Sequence, residues 1–317
     1  MSTLLEVQNL SKYFSTPKGE LHAVENVSFK LNAGETLGVV GESGCGKSTL
    51  GRTIIHLTES TAGTILFDGE DITHPKNKGE LKSLRRQMQM IFQDPFASLN
   101  PRMTVEEIIA EPLFIYKVGS KQEIYAKIKK LMDTVGISER IANAYPHELD
   151  GGRRQRVGIA RALALEPKLI VCDEPVSALD VSIQAQILNL MQDLQEEYQL
   201  TYIFITHDMS VVKHISDHIL VMYMGCVVEY APSDILFAKR YHPYTNALLS
   251  AVPVPDIHAV REDHLLTGEV TSPLNPRPGC RFAARCPYKS EKCGITDCEL
   301  LEVEQDHFVA CHHPRNI

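Results

Sequence analysis

The stretch GESGCGKST, Gly41–Thr49, decides which fold this chain can adopt. It matches the pattern G-x-x-x-x-G-K-[ST] and directly follows ETLGVV, an apolar run that predicts a short strand. A helix is predicted to begin near Lys47. Glycines let the backbone wrap its amides around an anion, and a helix N-terminus adds partial positive charge. The stretch therefore predicts a phosphate-binding loop. The alternative, a glycine turn without a ligand, is disfavoured by the lysine and serine that complete the pattern.

The residues of this loop are the candidate ligands of a nucleoside triphosphate. Main-chain amides would surround the phosphates, the Lys47 ammonium would reach the β- and γ-phosphates, and the Ser48 hydroxyl would bind Mg²⁺. The full set is Gly41, Glu42, Ser43, Gly44, Cys45, Gly46, Lys47, Ser48 and Thr49.

A second apolar run, LIVCDEP, ends in two adjacent carboxylates, Asp173 and Glu174. Continuous apolar runs of this kind predict a strand buried in a parallel sheet, and ligands bind at the carboxyl ends of such strands. Asp173 is expected to hold Mg²⁺ through water, and Glu174 to polarise the attacking water. A pair of solvated acids is the alternative, and it is common where such a pair stands alone.

Segments typical of strands and helices alternate along the chain, which predicts an α/β fold with a mostly parallel sheet. The predicted strands are LLEVQNL, LHAVENVSFKL, ETLGVV, TILFDG, QMQMIF, KLIVCDEP, TYIFITHD and HILVMYMG. A mostly helical block, at about residues 94–165, predicts a subdomain inserted into the sheet. A later helix would place Ile183, Ile187, Leu190, Leu194 and Tyr198 on one face.

Composition limits the possible partners. The 317 residues are 44% hydrophobic and 23% charged, with a net charge of −8 and a pI near 5.9. An acidic chain has no global electrostatic attraction to nucleic acid or to anionic membranes, so a phosphate site must be local. No apolar run approaches the roughly 18 residues that span a bilayer, and the start MSTLLEVQNL lacks the features of a signal peptide. We therefore expect a cytoplasmic protein.

The end of the chain differs in composition from the rest. After Ala251 prolines become frequent, and this predicts a linker (Pro253, Pro255, Pro273, Pro276 and Pro278). Five cysteines follow: Cys280, Cys286, Cys293, Cys298 and Cys311. In a reducing compartment such a group indicates metal binding more than disulfides. The predicted domains are residues 1–250 and a cysteine-rich extension, residues 251–317.

Six motifs follow one another along the chain: GESGCGKST, IFQDP, LDGGR, LIVCDEP, SALD and TH. In this order, and over the whole chain, they resemble the nucleotide-binding subunits of ABC transporters. The ordered set is far more specific than any one of its members. The resemblance implies a P-loop NTPase fold with a mostly parallel core sheet, an antiparallel β subdomain and an inserted helical subdomain. It also implies an enzyme that hydrolyses ATP with Mg²⁺.

The resemblance assigns roles to individual side chains. Phe14, or its neighbour Tyr13, would stack on adenine, although packing at the end of a strand explains Phe14 equally well. Gln93 would touch Mg²⁺ and the attacking water and relay motion to a membrane subunit. The loop that ends at Asp180 would cross to a partner subunit, and His207 would contact the γ-phosphate.

The signature motif departs from the family pattern LSGGQ. Here Leu149 is followed by Asp150, Gly151, Gly152 and Arg153. The resemblance implies that this motif contacts the nucleotide held by the opposite subunit. Asp150 can still cap a helix, but an ionised carboxylate cannot donate a hydrogen bond to phosphate. Arg153 offers a compensating charge, as do Arg154 and Arg156, although one helix does not point all three the same way. We expect a heterodimer with one competent and one altered site; a neutral variant of the motif is the alternative.

The end of the chain resembles a narrower branch. HPYTNALLSAVPVPD, GCRFAARCPYKSEKC and ACHHP are similar to the oligopeptide/dipeptide importers. This resemblance implies a [4Fe–4S] cluster held by Cys280, Cys286, Cys293 and Cys311, with Cys298 as a bystander or as a replacement for Cys293. Zinc is the rival metal, although its usual C-x₂-C spacing is absent.

The expected function is that of an ATP-hydrolysing motor for peptide import. It would work with a second ATPase subunit, two membrane permeases and an extracytoplasmic binding protein, at the cytoplasmic face of the membrane. Nickel-chelate or oligosaccharide uptake are alternative cargoes. An ABC ATPase acting on DNA or ribosomes is less favoured, because about 100 residues without sustained heptads separate loop and signature and the chain has one cassette. An exporter ATPase is disfavoured by the extension, and a P-loop kinase by the signature, SALD and TH.

Overall fold

The computed structural model describes residues 2–251 and 272–315. The predicted linker prolines Pro253 and Pro255 lie outside the described residues. The chain divides into two compact units, the first formed by Met1–His74 with Phe204–Ile317 and the second by Pro75–Ile203. The helical block predicted at about residues 94–165 falls within the second unit.

The strands occur in both units. They are β1 (Thr3–Thr16), β2 (Gly19–Asn32), β3 (Thr36–Val40), β4 (Ala62–Phe67), β5 (Glu70–Asp71), β6 (Met88–Ile91), β7 (Leu169–Asp173), β8 (Thr201–Thr206), β9 (His218–Tyr223), β10 (Cys226–Pro232), β11 (Leu301–Glu304) and β12 (His307–Val309). All eight predicted strand segments are confirmed. Strands β5, β10, β11 and β12 had no prediction.

The α-helices vary from a single turn to five turns. They are α1 (Lys47–Ile54), α2 (Lys78–Gln87), α3 (Pro95–Ser98), α4 (Val105–Tyr116), α5 (Lys121–Thr134), α6 (Gly151–Leu163), α7 (Val181–Tyr198), α8 (Met209–Ile215), α9 (Ser233–Ala238) and α10 (Pro243–Ser250). In the part of the chain that the structure describes, none of these helices is both long enough and apolar enough to cross a membrane.

The first unit contains two kinds of strand pairing. Strands β2, β1, β4 and β5 form an antiparallel sheet in that order, and β1 and β2 pair over most of their length. A second run, in the order β11-β12-β10-β9-β3, combines the parallel pair β3–β9 with antiparallel neighbours. All five residues of β3 are buried. This burial fits a strand that is covered on both faces and explains its continuous apolar sequence.

The second unit places helices around the parallel pair β6–β7, in which Met90 lies opposite Val171. The helix starts follow local chemistry, since Thr104 with Glu107 and Ser120 with Glu123 form capping boxes.

Helix α7 buries a somewhat different face from the one predicted. Ile187 and Leu194 are buried as expected, and Leu188 and Met191 complete the buried face, whereas Leu190 is half-buried. Ile183 and Tyr198 are also half-buried. The buried side therefore includes adjacent positions that a single stripe at helical spacing leaves out.

The end of the chain belongs structurally to the first unit. Strand β12 pairs with β10, and Phe282 is 1% exposed in a core that includes Tyr223 and Tyr244. A polar centre accompanies this packing. The fully buried Glu229 accepts hydrogen bonds from the backbone N–H groups of Tyr241 (2.8 Å) and His242 (3.1 Å), and its Oε1 lies 2.8 Å from His307 Nε2.

Replacing Glu229 should loosen the end of the chain from the unit. Glu229→Ala leaves two backbone donors and His307 without their acceptor in a buried position, which costs on the order of 3 kcal/mol. We expect the thermal unfolding midpoint to fall by several degrees, with a smaller fall for Glu229→Gln, which keeps one acceptor oxygen. The exposed Glu299, changed to Ala, is the control. Equal midpoints for Glu229→Ala and Glu299→Ala would contradict the role assigned to Glu229.

Candidate active site

The glycine-rich loop lies where the sequence predicted it, between β3, which ends at Val40, and α1, which begins at Lys47. The N-cap of α1 is Gly46, so no side chain caps the first helical amides. Gly46 has φ +107°, and a Cβ there would lie 2.0 Å from the carbonyl oxygen of Ala23 in β2. Both the conformation and the close approach demand glycine. The loop shape is therefore set jointly by its own sequence and by the neighbouring strand.

Lys47 lies inside the loop. Its side chain is buried, with the residue 4% exposed, and its Nζ donates to the carbonyl oxygens of Gly41 (2.7 Å) and Glu42 (3.0 Å). The neighbouring Cys45 is also buried, and burial raises the pKa of its thiol, so this cysteine is neutral at physiological pH. The loop thus holds one buried ammonium next to inward-facing backbone.

Glu42 connects the loop to two other segments of the first unit, a link that the sequence did not predict. Its backbone N–H donates to the hydroxyl of Tyr244 at 2.8 Å. Its carboxylate accepts two hydrogen bonds from Arg285, at 2.7 and 3.0 Å. The hydrogen bonds to Glu42 raise the pKa of Arg285, which keeps the guanidinium charged. Arg285 is one of two arginines between Cys280 and Cys286, and its position carries no sequence signal for such a contact.

The two candidates for stacking on adenine differ in their surroundings. The Tyr13 ring stacks on His22, with centroids 4.0 Å apart, and its hydroxyl lies 3.4 Å from Glu25 Oε1. Phe14 is 37% exposed, and the Lys12 ammonium lies 4.8 Å from its ring centroid. Phe14 therefore has the more accessible ring.

His207 follows β8 directly and is exposed. The next residue, Asp208, starts α8 by accepting hydrogen bonds from the backbone N–H groups of Ser210 and Val211. The helix cap therefore fixes the chain just beyond His207.

In the second unit, the two acids at the end of β7 have different environments. Asp173 is fully buried. Glu174 has a backbone φ of +47°, a conformation that non-glycine residues rarely use. Gln93 Nε2 donates to Glu174 Oε2 at 2.9 Å, and the Ser177 hydroxyl donates to the Glu174 carbonyl oxygen. The structure thus brings together Gln93 and Glu174, which the sequence assigned to one reaction. Backbone strain of this kind is common at functional sites.

The signature motif begins α6, and Asp150 is its N-cap, as predicted. Asp150 Oδ1 accepts from the Arg153 backbone N–H at 2.8 Å, and Oδ2 lies 3.4 Å from Arg153 Nε. The other two candidate cations point elsewhere. Arg154 donates to the carbonyl oxygen of Pro146, and Arg156 to that of Val135. The suggestion that Arg154 and Arg156 offset the Asp150 charge is therefore wrong, because both guanidinium groups hold the helix to its own subdomain.

The segment around Asp180 packs beside the signature. Asp180 caps α7 by accepting from the Ile183 N–H at 3.0 Å, and the next residue, Val181, is 81% exposed. A Cβ on Gly152 would lie 2.7 Å from the Ile183 side chain. The second glycine of the signature is therefore needed for contact with α7.

The five cysteines at the end of the chain are grouped around Cys280. A hydrogen bond from the Cys298 thiol lowers the pKa of Cys280 most, and a further one from His242 acts in the same direction. Burial raises the pKa of Cys286 and of Cys311, and charge repulsion from Cys280 acts in the same direction. All five are free thiols. Within residues 2–251 and 272–315, no three histidine, cysteine or acidic side chains are already placed to bind one metal ion.

Comparison with known proteins agrees with this geometry. A family model described as ABC transporter matches residues 24–177, and one described as the C-terminal region of oligopeptide/dipeptide transporters matches residues 228–293. The oligopeptide transport ATP-binding protein AppF of Bacillus subtilis is 51% identical over 98% of this chain and 97% of its own. Among solved structures, the ATP-binding cassette MJ0796, a dimer bound to ADP and phosphate, is 30% identical over 73% of this chain and 99% of that one, with a TM-score of 0.67. CbiO1 of Clostridium perfringens, part of the transporter complex cbiONQ, gives the same TM-score at 28% identity, over 75% of this chain and 92% of that one.

Proposed function

The chain belongs to the ATP-binding subunits of ABC transporters, in the oligopeptide/dipeptide branch, and we propose that it powers the import of peptides. Members of this family hydrolyse ATP, and the fold is that of an ABC ATPase. The observation that carries the proposal is the loop Gly41–Thr49, with Lys47 buried inside it and the amides of α1 uncapped by any side chain. A buried ammonium beside helical amides that no side chain caps is a site for a polyphosphate.

Each step of the proposed ATP binding and hydrolysis is assigned to a side chain described above. Lys47 would exchange the carbonyl oxygens of Gly41 and Glu42 for phosphate oxygens of ATP. Glu174 would polarise the attacking water, and Gln93 would orient it by holding the Glu174 carboxylate, as its 2.9 Å hydrogen bond already does. His207 would contact the γ-phosphate, and Phe14 would stack on adenine.

Magnesium fits the proposed donors in kind. Ser48, Gln93 and Asp173 offer a hydroxyl, an amide and a carboxylate oxygen, which are the ligand types that Mg²⁺ prefers. When bound, the ion neutralises charge that develops on the phosphate oxygens.

The signature supports a heterodimer with unequal sites. Both Asp150 oxygens already have partners, yet the carboxylate stays 61% exposed at the start of α6. A phosphate of the opposite subunit at about 4 Å from that carboxylate would be repelled by about 4 kcal/mol at an effective dielectric constant near 20. Arg153 offsets part of this repulsion, because it is the one cation of the three that lies beside Asp150. We therefore propose an altered site at this signature and a competent site at this chain's own loop.

The extension is proposed to hold a [4Fe–4S] cluster through Cys280, Cys286, Cys293 and Cys311. Four thiols match such a cluster in kind and number. The pKa of Cys280 is lowered, which favours the thiolate form that ligation requires. The thiols would have to converge further than they do here. Because the Cys298 thiol donates a hydrogen bond to Cys280, it supports the Cys280 thiolate from outside the proposed ligand set.

The proposed partners are a second ATPase subunit, two membrane permeases that receive motion from the Gln93 region, and an extracytoplasmic binding protein. The chain would then lie at the cytoplasmic face of the membrane. Peptides are favoured as cargo because the relative AppF is an oligopeptide transport protein and the extension matches that family. Nickel chelates and oligosaccharides are the alternative cargoes.

Glu174→Gln should separate binding from hydrolysis. The amide keeps the shape of Glu174 but removes the charge that polarises water, so ATP turnover should fall by about 100-fold or more. The dissociation constant for Mg·ATP, measured by isothermal titration calorimetry, should stay within about threefold. Lys47→Ala is the matched loss-of-binding control, because it removes the buried ammonium. Undiminished turnover in Glu174→Gln, or normal Mg·ATP binding by Lys47→Ala, would reject the assignment.

Restoring the usual signature should change the assembled ATPase. In the heterodimer, Asp150→Ser with Arg153→Gln is expected to strengthen nucleotide binding at the weaker site several-fold, since a repulsive carboxylate becomes a donor. The single variant Arg153→Gln, which strands the Asp150 charge, should weaken that site. Binding isotherms resolved into two sites measure both effects. An unchanged isotherm for the double variant would show that the departure from LSGGQ is neutral.

The metal of the extension can be identified by composition and colour. Protein purified without oxygen should be brown, absorb light at about 400 nm and carry about four iron atoms per chain. Cys280→Ser, Cys286→Ser, Cys293→Ser and Cys311→Ser should each lose the iron, whereas Cys298→Ser should keep it. Colourless protein containing zinc would overturn the proposed iron–sulfur cluster. Loss of iron in Cys298→Ser, but in none of the other four variants, would overturn the proposed choice of ligands.

A further inference from the structure

Arg285 joins the cysteine-rich extension to the phosphate loop. It stands directly before Cys286 in the sequence, yet its two terminal nitrogens donate to the two carboxylate oxygens of Glu42, the second residue of the loop, at 2.7 and 3.0 Å. The Arg285 side chain is 6% exposed and that of Glu42 is 25% exposed. A bidentate pair of this burial has a fixed geometry and is only weakly screened by water.

Aromatic side chains hold Arg285 in place. Its guanidinium lies 5.9 Å from the ring centroid of Tyr223, and one of its nitrogens lies 3.5 Å from the Tyr223 hydroxyl. The Tyr223 ring also packs edge-on against Phe282 of the extension and against Tyr244. The position of Arg285 is therefore determined by the core of the first unit.

The contact continues to the candidate phosphate ligand. Glu42 is fixed at three points: its carboxylate by Arg285, its N–H by the Tyr244 hydroxyl, and its carbonyl oxygen by the Lys47 ammonium. If Arg285 is removed, the Glu42 carboxylate loses its bidentate partner and can turn toward water, and Glu42 keeps only two of its three fixed points. The Glu42 backbone carries the carbonyl oxygen that contacts Lys47.

We propose that Arg285 is a positioning residue for ATP binding: it holds Glu42, and with it the first turn of the phosphate loop, in the shape that accepts the triphosphate. The nucleotide affinity of this chain then depends on the docked extension. The inference rests on the proposed assignment of Gly41–Thr49 as the ATP site. It gives the extension a role at the nucleotide that does not require its cysteines to bind metal.

The test compares affinity with turnover in the full-length chain. Arg285→Met keeps the length of the side chain but removes the ion pair, and it should raise the dissociation constant for Mg·ATP about tenfold, equivalent to about 1.4 kcal/mol. The KM for ATP should rise in parallel, while kcat stays within about twofold. Arg285→Lys, which keeps the charge without the planar fork, should recover part of the affinity. Arg277→Met, an exposed arginine of the same extension, is the matched control and should bind normally.

A double-mutant cycle shows whether Arg285 acts through Glu42. If it does, Glu42→Gln combined with Arg285→Met should bind Mg·ATP no more weakly than Arg285→Met alone. Circular dichroism establishes that each variant is folded, and Arg285→Lys keeps the test usable if Arg285→Met is not. Affinity within twofold of the wild type in folded Arg285→Met, or additive losses in the cycle, would overturn the proposal. Loss of binding in Lys47→Ala together with normal binding in Arg285→Met would reject this inference alone, whereas normal binding in Lys47→Ala would reject the assignment of the site itself.

Discussion

The architecture of the first unit depends on one close approach, that of the glycine-rich loop to the strands around it. Gly46 leaves no room for a Cβ against the carbonyl oxygen of Ala23, and Gly41 leaves none against that of Met222 in β9. The loop can therefore turn only where both strands accept it. The resulting tight turn of the backbone lets the buried Lys47 donate to two carbonyl oxygens of the loop. A phosphate site requires this combination, since the amides and the ammonium have to be held in place before the anion arrives.

The end of the chain is part of the same structural unit and is not an appendage to it. Two polar centres secure it: the fully buried Glu229 with His307, and the partly buried Arg285 with Glu42. Each would be costly if half of it were missing, because an unpaired charge or donor would remain with reduced access to water. Such centres stabilise a docked arrangement less than apolar packing would, but they tolerate few alternatives. This selectivity explains how a short segment with little regular structure can be held against the phosphate loop in one orientation.

The signature motif shows how one position can satisfy local structure and alter chemistry at the same time. Asp150 serves α6 as well as serine would, because capping requires only an acceptor oxygen. On the exposed side of the motif, Asp150 and Arg153 form an ion pair where the family pattern LSGGQ has a neutral serine and glutamine. Arg154 and Arg156 do not share in this change, since each is bound to a backbone carbonyl oxygen within its own unit. The helix therefore folds normally, and whatever changes is confined to the nucleotide facing it.

The sequence by itself determined the strand–loop–helix around Gly41–Thr49, the eight strand segments it predicted, and the cap at Asp150, because each of these depends on the chemistry of neighbouring residues. From the sequence, Gln93 and Glu174 were assigned only to the same reaction. The structure added the hydrogen bond between their side chains. Tertiary structure alone decided the face of α7, the strands β10 to β12, and the contact of Arg285 with Glu42. Those two residues are 243 positions apart. No local pattern encodes such a contact, because it arises only when the extension packs on a core whose shape depends on the whole unit.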